Sequence, residues 1–326
     1  MLSDSLTKAG RLVELQLAFW KNPRRALTTA ELARRVGVAP RTMRKYLTEL
    51  SCSGRLPITR EGRGWRLAEH ATLEIAPVRF LLEEAVAVYL AARLLVQHAD
   101  EPNPAVAGAI AKLAVEVPKE MREPLDLLAH RVRSSGREAF ATVFRTLAYG
   151  WALRQVVRVR YSPRSRPAPY ECDLSTYLLE PAAIGSALYA VGHADPPGAL
   201  RVLKAERIVD ATLTDRIFEA PAPDDLLARL DTAWGVWISD GEPAEVELRF
   251  DAEVAARVRE TRWHPTQSLS PLPGGGLSMT LTVSSTTEII PWILGWGPLC
   301  EVIRPDDLRA RVAAELARAS ERYAAR

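Results

Sequence analysis

The chain contains 326 residues, of which 48% are hydrophobic and 25% are charged, and its formal net charge is +3. This composition is typical of a globular protein, and the length predicts roughly two to four domains. Three cysteines, at positions 52, 172 and 300, are too widely spaced for a disulfide framework or a CxxC zinc knuckle. The N-terminal segment lacks an apolar signal core, and no run of about 18 apolar residues occurs. We therefore expect a cytoplasmic protein that is neither secreted nor membrane-spanning.

The charge is unevenly distributed along the chain. Residues 1–70 contain 14 Lys and Arg against 6 Asp and Glu, a net charge of +8, whereas residues 71–326 have a net charge of −5. A basic module joined to a mildly acidic body predicts a polyanionic partner, nucleic acid above all. Solvated surface charge is the alternative interpretation.

The basic module begins with two predicted helices. Apolar residues recur with a near-helical period over residues 6–20. In the next stretch, "LTTAELARRVG", Thr28 or Thr29 can cap a second helix, and Glu31 is in or near the position that a capping box requires. Gly37 can end this helix in the left-handed conformation.

A third helix and a hairpin follow the glycine. Pro40 is favoured at the first helical position because its missing N–H has no intrahelical partner there, and the helix extends to about Leu50. Two helices joined by a tight glycine turn define a helix-turn-helix. Apolar residues then alternate on both sides of "REGRG", which predicts a β-hairpin, the wing of a winged helix.

The stretch "TTAELARRVGVAPRTMRKYLTEL…GRLPITREGRGWRL" resembles the winged helix-turn-helix of DeoR-type bacterial regulators. The chain departs from that pattern at Ala39, where the family usually has a capping Ser, and at Tyr46, where it often has Asp. The resemblance implies that residues 1–70 bind DNA. In such motifs the start of the second helix meets base edges, and the wing can reach phosphates or the minor groove. The candidate DNA-binding residues are Arg41, Thr42, Arg44 and Lys45 on the helix and Arg60 and Arg63 on the wing.

Residues 71–134 contain no clear strand pattern and are predicted to form a helical linker, a small bundle. The stretch "RFLLEEAVAVYLAARLLVQ" is apolar on nearly every face, so we expect it to be buried in the bundle or at a subunit contact. Prolines at positions 102, 104, 118 and 124 are expected to separate the helices.

From residue 155 the pattern changes to period two, which predicts short strands. This part resembles the WYL domain of bacterial regulators, an Sm-like β-barrel that senses a ligand. The matching residues are Tyr161, Pro181, the strand Leu188-Tyr189-Ala190-Val191-Gly192, Arg201 and Arg207-Ile208. Of the three residues that give the family its name, only Tyr189 remains. The resemblance implies a WYL domain over residues 135–235.

The last part, residues 236–326, is predicted to run strand, helix, strand, strand, helix, strand, helix. It is similar to the α+β extension that accompanies WYL domains, abbreviated WCX, with matches at Trp292, Gly295, Gly297 and Pro305. The chain as a whole is therefore predicted to be a multidomain α+β protein.

Motifs for catalysis are missing from the sequence. It contains no GxxxxGK[ST] loop, GxSxG elbow or HExxH helix, and its five histidines lack metal-ligand spacing. Gly274–Gly276 is interpreted as a hairpin loop, and Asp306-Asp307 as the cap of the last helix. We expect no enzymatic activity, no metal and no cofactor.

The three resemblances together imply a homodimeric transcriptional regulator that binds operator DNA and senses an effector, in some relatives during a response to DNA damage or phage. The resemblance implies single-stranded nucleic acid or a nucleotide as the effector. The residues allow this, because guanidinium groups beside aromatic rings suit phosphates and stacked bases. The candidate ligand-binding residues are Arg160, Tyr161, Ser162, Tyr189, His193, Arg201 and Arg207.

Three alternatives stay open. The effector could be a small anionic metabolite, or the chain could be an accessory protein that binds RNA or a partner enzyme and controls no promoter. In addition, Arg158 and Arg160 share one strand face, which could simply face water.

Overall fold

The computed structural model describes residues 8–20, 22, 25–52, 56–68, 78–97, 99–182, 187–238 and 241–324. They divide into two compact units, one within residues 1–91 and 113–123 and the other within residues 92–112 and 124–326. The domain boundaries near residues 70, 134 and 235 stay predictions.

The first unit contains a helix-turn-helix beside a small antiparallel sheet. Its sheet has the strand order β1-β3-β2. The core is formed by apolar side chains from all three helices, among them Phe19, Leu32, Met43 and Leu47, each at most 1% exposed. The predicted start of the first helix, at residue 6, lies outside the described residues. The elements are α1 (Lys8–Trp20), β1 (Leu27–Thr28), α2 (Thr29–Val36), α3 (Pro40–Cys52), β2 (Ile58–Glu61) and β3 (Gly64–Leu67).

Three helices follow: α4 (Leu82–Gln97), α5 (Pro104–Glu116) and α6 (Lys119–Ser135). The prediction that the apolar stretch of α4 is buried within the chain is wrong, because among its described residues only Ala85 is buried. Helix α6 also continues through Pro124, where a break was expected. The carbonyl of Glu120, which loses its helical partner, belongs to an exposed residue and can bond to water.

Helix α7 (Glu138–Leu153) follows in the second unit and lies against a five-stranded antiparallel sheet. Gly150 permits this close approach, since a Cβ there would lie 2.3 Å from Val157 Cγ2. The strands are β4 (Gln155–Tyr161), β5 (Tyr170–Ala182), β6 (Ala187–Asp195), β7 (Ala199–Lys204) and β8 (Ile208–Ile217), and their order is β7-β6-β5-β4-β8.

The expected closed barrel is not formed by the strand pairing in the described residues. Bulges in the β5–β6 and β4–β8 ladders interrupt the register and bend strands locally. However, β7 and β8 remain the two edges, joined through the 3₁₀ turn Ala205–Arg207. The sheet is therefore open.

The C-terminal module follows the element order that the sequence predicts. Its antiparallel sheet has the strand order β10-β11-β9-β12, and the connection at Gly274–Gly276 joins the paired strands β10 and β11. Helix α8 (Pro223–Asp231) precedes the module. The elements of the module are β9 (Ala244–Phe250), α9 (Ala252–Glu260), β10 (Ser268–Pro271), β11 (Leu277–Val283), α10 (Ile289–Leu294), β12 (Cys300–Arg304) and α11 (Asp306–Ala324).

Two features are absent from the described residues. None of their helices combines the length and the apolar character needed to cross a bilayer. They also contain no group of three or more His, Cys, Asp or Glu side chains placed to hold a metal ion.

Candidate nucleic-acid interface

A complete capping box fixes the start of α2. The Thr28 hydroxyl accepts the backbone N–H of Glu31 at 3.3 Å, and the Glu31 carboxylate accepts the backbone N–H of Thr28 at 2.8 Å. The Thr28 hydroxyl also donates to the Glu31 carboxylate at 2.8 Å, and the two hydrogen bonds that this carboxylate accepts from Thr28 lower the pKa of Glu31. Gly37 ends the helix with φ 72° and ψ 38°, a conformation that costs glycine little. The turn between α2 and α3 is thus determined by local chemistry.

Helix α3 buries one face and exposes a basic one. Met43, Leu47 and Leu50 are at most 3% exposed and pack in the core of the first unit. The opposite side exposes the four predicted contact residues. They lie one to four positions apart along the helix, so they are neighbours on its surface. They are Arg41, Thr42, Arg44 and Lys45.

The cations on this face form no ion pairs with the described residues. Within the described part of the chain, Arg41, Arg44 and Lys45 make no ion pair, whereas Arg25 and Arg35 nearby are paired with Glu31 and Glu14. Unpaired cations on an exposed helix raise the local positive potential and attract polyanions.

The wing is a tight hairpin. Glu61 pairs with Gly64, so the turn is formed by Gly62 and Arg63, with Gly62 at φ 58°. Arg60 and Arg63 are both exposed on it. Gly64 lies under β1, where a Cβ would meet Ala26 Cβ at 3.0 Å. The hairpin therefore presents both predicted arginines to solvent.

A second candidate surface lies on the five-stranded sheet, where Tyr161 and Tyr170 pack edge to face. The Arg166 guanidinium lies 5.1 Å from the centre of the Tyr170 ring. Burial, the largest effect, raises the pKa of Tyr170, and the positive charges of Arg166 and Arg201 oppose that shift. We call Tyr161, Tyr170, Arg166 and Arg201 the aromatic–arginine cluster.

The structure places Arg160 away from this cluster. Adjacent strand residues face opposite sides of a sheet, and Arg160 is exposed whereas Tyr161 is buried. The cross-strand neighbours of Arg160 are Glu171 and Asp210. By contrast, Ser162 follows Tyr161 directly, and its N–H donates to the carbonyl of Arg207 at 3.0 Å.

Tyr189 and His193 lie on one face of β6, and Arg201 lies on the other. The two β6 residues are four positions apart, so their side chains share a face. Arg201 is paired with Gly192, which points to the opposite face. Burial raises the pKa of Tyr189, with Glu288 acting in the same direction and Arg207 opposing it. The predicted ligand residues thus form two groups rather than one.

Three side chains near these surfaces were not predicted from the sequence. Tyr170 could have been predicted, because it is the first residue of the alternating segment "YECDLSTYLLE". Glu180 is the cross-strand neighbour of Tyr189, and Glu206 accepts the backbone N–H of Leu188 at 2.8 Å. Burial raises the pKa of both glutamates. No motif in the sequence pointed to these carboxyls.

Comparison with known families identifies the C-terminal module. Residues 242–320, which cover β9 to most of α11, match the family model of the WCX domain. This confirms the predicted WCX resemblance for that part of the chain. A comparison with curated proteins gives no match.

Two solved structures are similar over larger parts of the chain. One is the proteasome accessory factor B/C (PafBC) of Arthrobacter aurescens, with 18% identity, a TM-score of 0.34 and coverage of 95% of this chain and 49% of that chain. The other is described as a CRISPR Cas-related protein, with 12% identity, a TM-score of 0.42 and coverage of 56% of this chain and 52% of that chain. The alignments span about half the length of each of these two proteins.

Proposed function

We propose that this chain is a cytoplasmic DNA-binding transcriptional regulator, without catalytic activity, in which α3 enters the major groove of an operator. The side chains of Arg41, Arg44 and Lys45, which are exposed and form no ion pair with any described residue, carry this proposal. They stand at the start of a helix whose other face is buried, the arrangement that base readout requires. Arg60 and Arg63 on the wing then contact phosphates or the minor groove.

The experiment that tests this function is selection of genomic DNA. The full chain is incubated with sheared genomic duplexes, and bound fragments are sequenced. A regulator enriches a few sites that share a motif. Equal retention of all fragments at low salt, lost at higher salt, would indicate non-specific charge binding and would contradict the proposal. Preferential retention of RNA in a parallel selection would favour the accessory-protein alternative.

For the effector, the aromatic–arginine cluster supports a single-stranded nucleic acid or a nucleotide. The partly buried ring of Tyr170, with the guanidinium groups of Arg166 and Arg201 near it, offers a stacking face next to phosphate partners. A response to DNA damage or phage is the biological setting that such an effector would fit.

A small anionic metabolite is the second candidate effector, and one observation favours it. Glu180 is the cross-strand neighbour of Tyr189, and Glu206 accepts the backbone N–H of Leu188, so carboxyl groups lie beside the Tyr189 and Arg207 group of predicted ligand residues. A long polyanion would meet these carboxyls, whereas a compact anion would avoid them. Titrations with oligonucleotides, mononucleotides and mixed metabolites separate the two candidates.

Homodimerisation is part of the same proposal. Helix α4 exposes large apolar side chains, including Leu82, Leu90 and Leu94, each at least 55% exposed. Apolar patches of this kind commonly mark protein interfaces. A second copy of the chain, covering α4, would place two recognition helices on one operator.

A further inference from the structure

The WCX module contains an open groove that the proposed regulatory function does not use. It lies where β9 ends and α9 begins, and its volume is about 600 Å³, within the range of small-molecule sites. The β10–β11 connection, the turn at Gly297-Pro298 and one face of α11 form its walls. A Cβ at Gly276 would lie 2.9 Å from the carbonyl oxygen of Phe250, so this connection fits tightly against the end of β9.

Apolar side chains line part of the groove. Leu272 contributes from the β10–β11 connection, and Val312 and Leu316 contribute from α11. Leu316 is 41% exposed although it is a large aliphatic residue. Covering this surface with an apolar group would be favourable.

The charged residues of the groove are not all neutralised. Arg309 is paired with Glu301 at 2.7 Å and also donates to the carbonyl of Val302. Arg249 and Asp251 line the same groove, and within the described residues neither side chain forms an ion pair or a hydrogen bond. Asp251 is the N-cap residue of α9, yet its carboxylate does not cap the helix. Glu301 is the cross-strand neighbour of Arg249, but its carboxylate is paired with Arg309, so one cation and one anion of the groove remain without a partner among the described residues.

Two opposite charges on nearby residues can hold the two charged ends of a zwitterion. Arg249 and Asp251 are two residues apart at the end of an extended strand, so their Cα atoms are separated by about 7 Å. A guanidinium group binds a carboxylate through two parallel hydrogen bonds. A carboxylate such as Asp251 accepts hydrogen bonds from an ammonium group. A ligand with a carboxylate, an ammonium group and an apolar body can therefore contact Arg249, Asp251 and the apolar lining of the groove at the same time.

We propose that this groove binds a free α-amino acid with a large apolar side chain. Arg249 binds the ligand carboxylate, Asp251 binds its ammonium group, and the ligand side chain packs against Leu272, Val312 and Leu316. The groove shares no residue with α3 or with the aromatic–arginine cluster, so this proposal does not depend on the proposed function.

Calorimetric titration of the full chain tests the proposal. The probes are L-leucine, L-isoleucine, L-methionine, L-phenylalanine, L-tyrosine and L-tryptophan. The tightest of them is then compared with two analogues, one lacking the amino group and one lacking the carboxylate. We expect each analogue to bind about tenfold more weakly than the amino acid, because each loses one charge-assisted contact.

Two variants and a matched control assign the contacts. Arg249→Gln should weaken binding of the amino acid about tenfold and leave the affinity for the analogue without a carboxylate unchanged. Asp251→Asn should weaken binding of the amino acid to a similar extent and leave the affinity for the analogue without an amino group unchanged. Arg259→Gln makes the same charge change as Arg249→Gln at an exposed position of α9 outside the groove, and should have no effect.

Far-UV circular dichroism and thermal unfolding show whether all variants keep the fold of the wild type. If none of the six amino acids binds at about 10 mM, the proposal is overturned. It is also overturned if a probe binds and both Arg249→Gln and Asp251→Asn retain wild-type affinity. Loss of operator selection in the genomic experiment leaves these titrations unaffected, so the two proposals fail separately.

Discussion

The rings of Tyr161 and Tyr170 meet edge to face, with 5.8 Å between their centroids and an interplanar angle of 81°. The two residues are paired in the ladder between β4 and β5, at the end of one strand and the start of the next. Tyr161 is 6% exposed and belongs to the core, whereas Tyr170 is only partly buried. Tyr170, with Arg166 above it, is therefore the ring available to an effector.

From this arrangement we predict that Tyr170→Ala and Arg201→Ala remove the effect of the effector on operator binding. Stacking of a base on an aromatic ring contributes about 1–3 kcal/mol, and loss of Arg201 removes a phosphate partner. Basal operator binding should stay intact because the winged helix is unchanged. The measurement is operator affinity with and without short oligonucleotides or nucleotides.

Arg160→Ala is the matched control for Arg201→Ala, since Arg160 is an exposed arginine on the opposite face of β4 from Tyr161. We expect it to respond to the effector like the wild type. If Arg160→Ala loses the response and Arg201→Ala keeps it, the effector binds the other face of the sheet. If Arg201→Ala loses basal binding as well, Arg201 has a structural role.

At the recognition helix, we predict that Arg41→Ala weakens operator binding by about 1–3 kcal/mol and relaxes base preference at one position. Lys45→Ala should reduce affinity further, and the loss of one positive charge at the DNA surface should also lower the salt slope of binding. The measurement is fluorescence anisotropy on the selected operator and on single-base variants of it at several salt concentrations.

The control for this experiment is Arg145→Ala, an exposed arginine on α7 in the second unit. It should leave affinity, base preference and salt slope unchanged. Full affinity and specificity in an Arg41→Ala, Lys45→Ala double variant would show that α3 is not the reading element.

The helix-turn-helix could be predicted from sequence because its determinants are local. Thr28 and Glu31 form the capping box within four residues, and Gly37 and Pro40 end one helix and start the next. The element order of the WCX module was also predictable, since periodicity and turn residues mark each element there. Both parts depend little on contacts between distant segments.

The effector surface was less predictable because it depends on strand register. The sequence grouped Arg201 with Tyr189 and His193, but the pairing of Arg201 with Gly192 puts it on the other face of the sheet. That register is set by the β6–β7 connection, and a shift of one residue would reverse the outcome. Barrel closure likewise depends on pairing between distant strands, which the local pattern does not encode.

The exposed apolar surface of α4 leads to a prediction about assembly. Leu90 and Leu94 are 55% and 60% exposed, and they lie one turn apart on the same side of the helix. We expect a homodimer at micromolar concentration by light scattering. The double variant Leu90→Glu, Leu94→Glu should be monomeric, because burying two carboxylates in an interface is costly.

Leu227→Glu is the control, as it places a charge at a 51% exposed leucine on α8 and should leave the dimer intact. A dimer that binds through both recognition helices requires inverted half-sites with centres about 34 Å apart or a multiple of that distance. A monomeric wild type, with and without DNA, would contradict the prediction.

The last prediction concerns the buried histidine of the WCX module. His264 is 2% exposed, and its ring stacks on Trp234 with 5.7 Å between centroids. Its Nε2 donates to the carbonyl of Ala233 at 3.2 Å, which leaves Nδ1 as the acceptor for the Thr266 N–H. Burial lowers the pKa of His264, with the Ala233 contact opposing that shift. The folded module therefore holds a neutral imidazole.

Because the pKa of His264 is lower in the folded chain than in the unfolded one, the unfolded chain binds more protons below pH ~6.5. The free energy of unfolding should therefore fall as the pH drops from about 6.5 towards the lowered pKa, by at most about 1.4 kcal/mol per pH unit from this group. Denaturant unfolding at pH 7.5 and pH 5, followed by tryptophan fluorescence, measures the loss. His264→Gln keeps a donor for the Ala233 carbonyl and shares the carboxyl titrations of the wild type, so it isolates the histidine. We expect the variant to lose less stability between the two pH values, and an equal loss in both proteins would contradict the prediction.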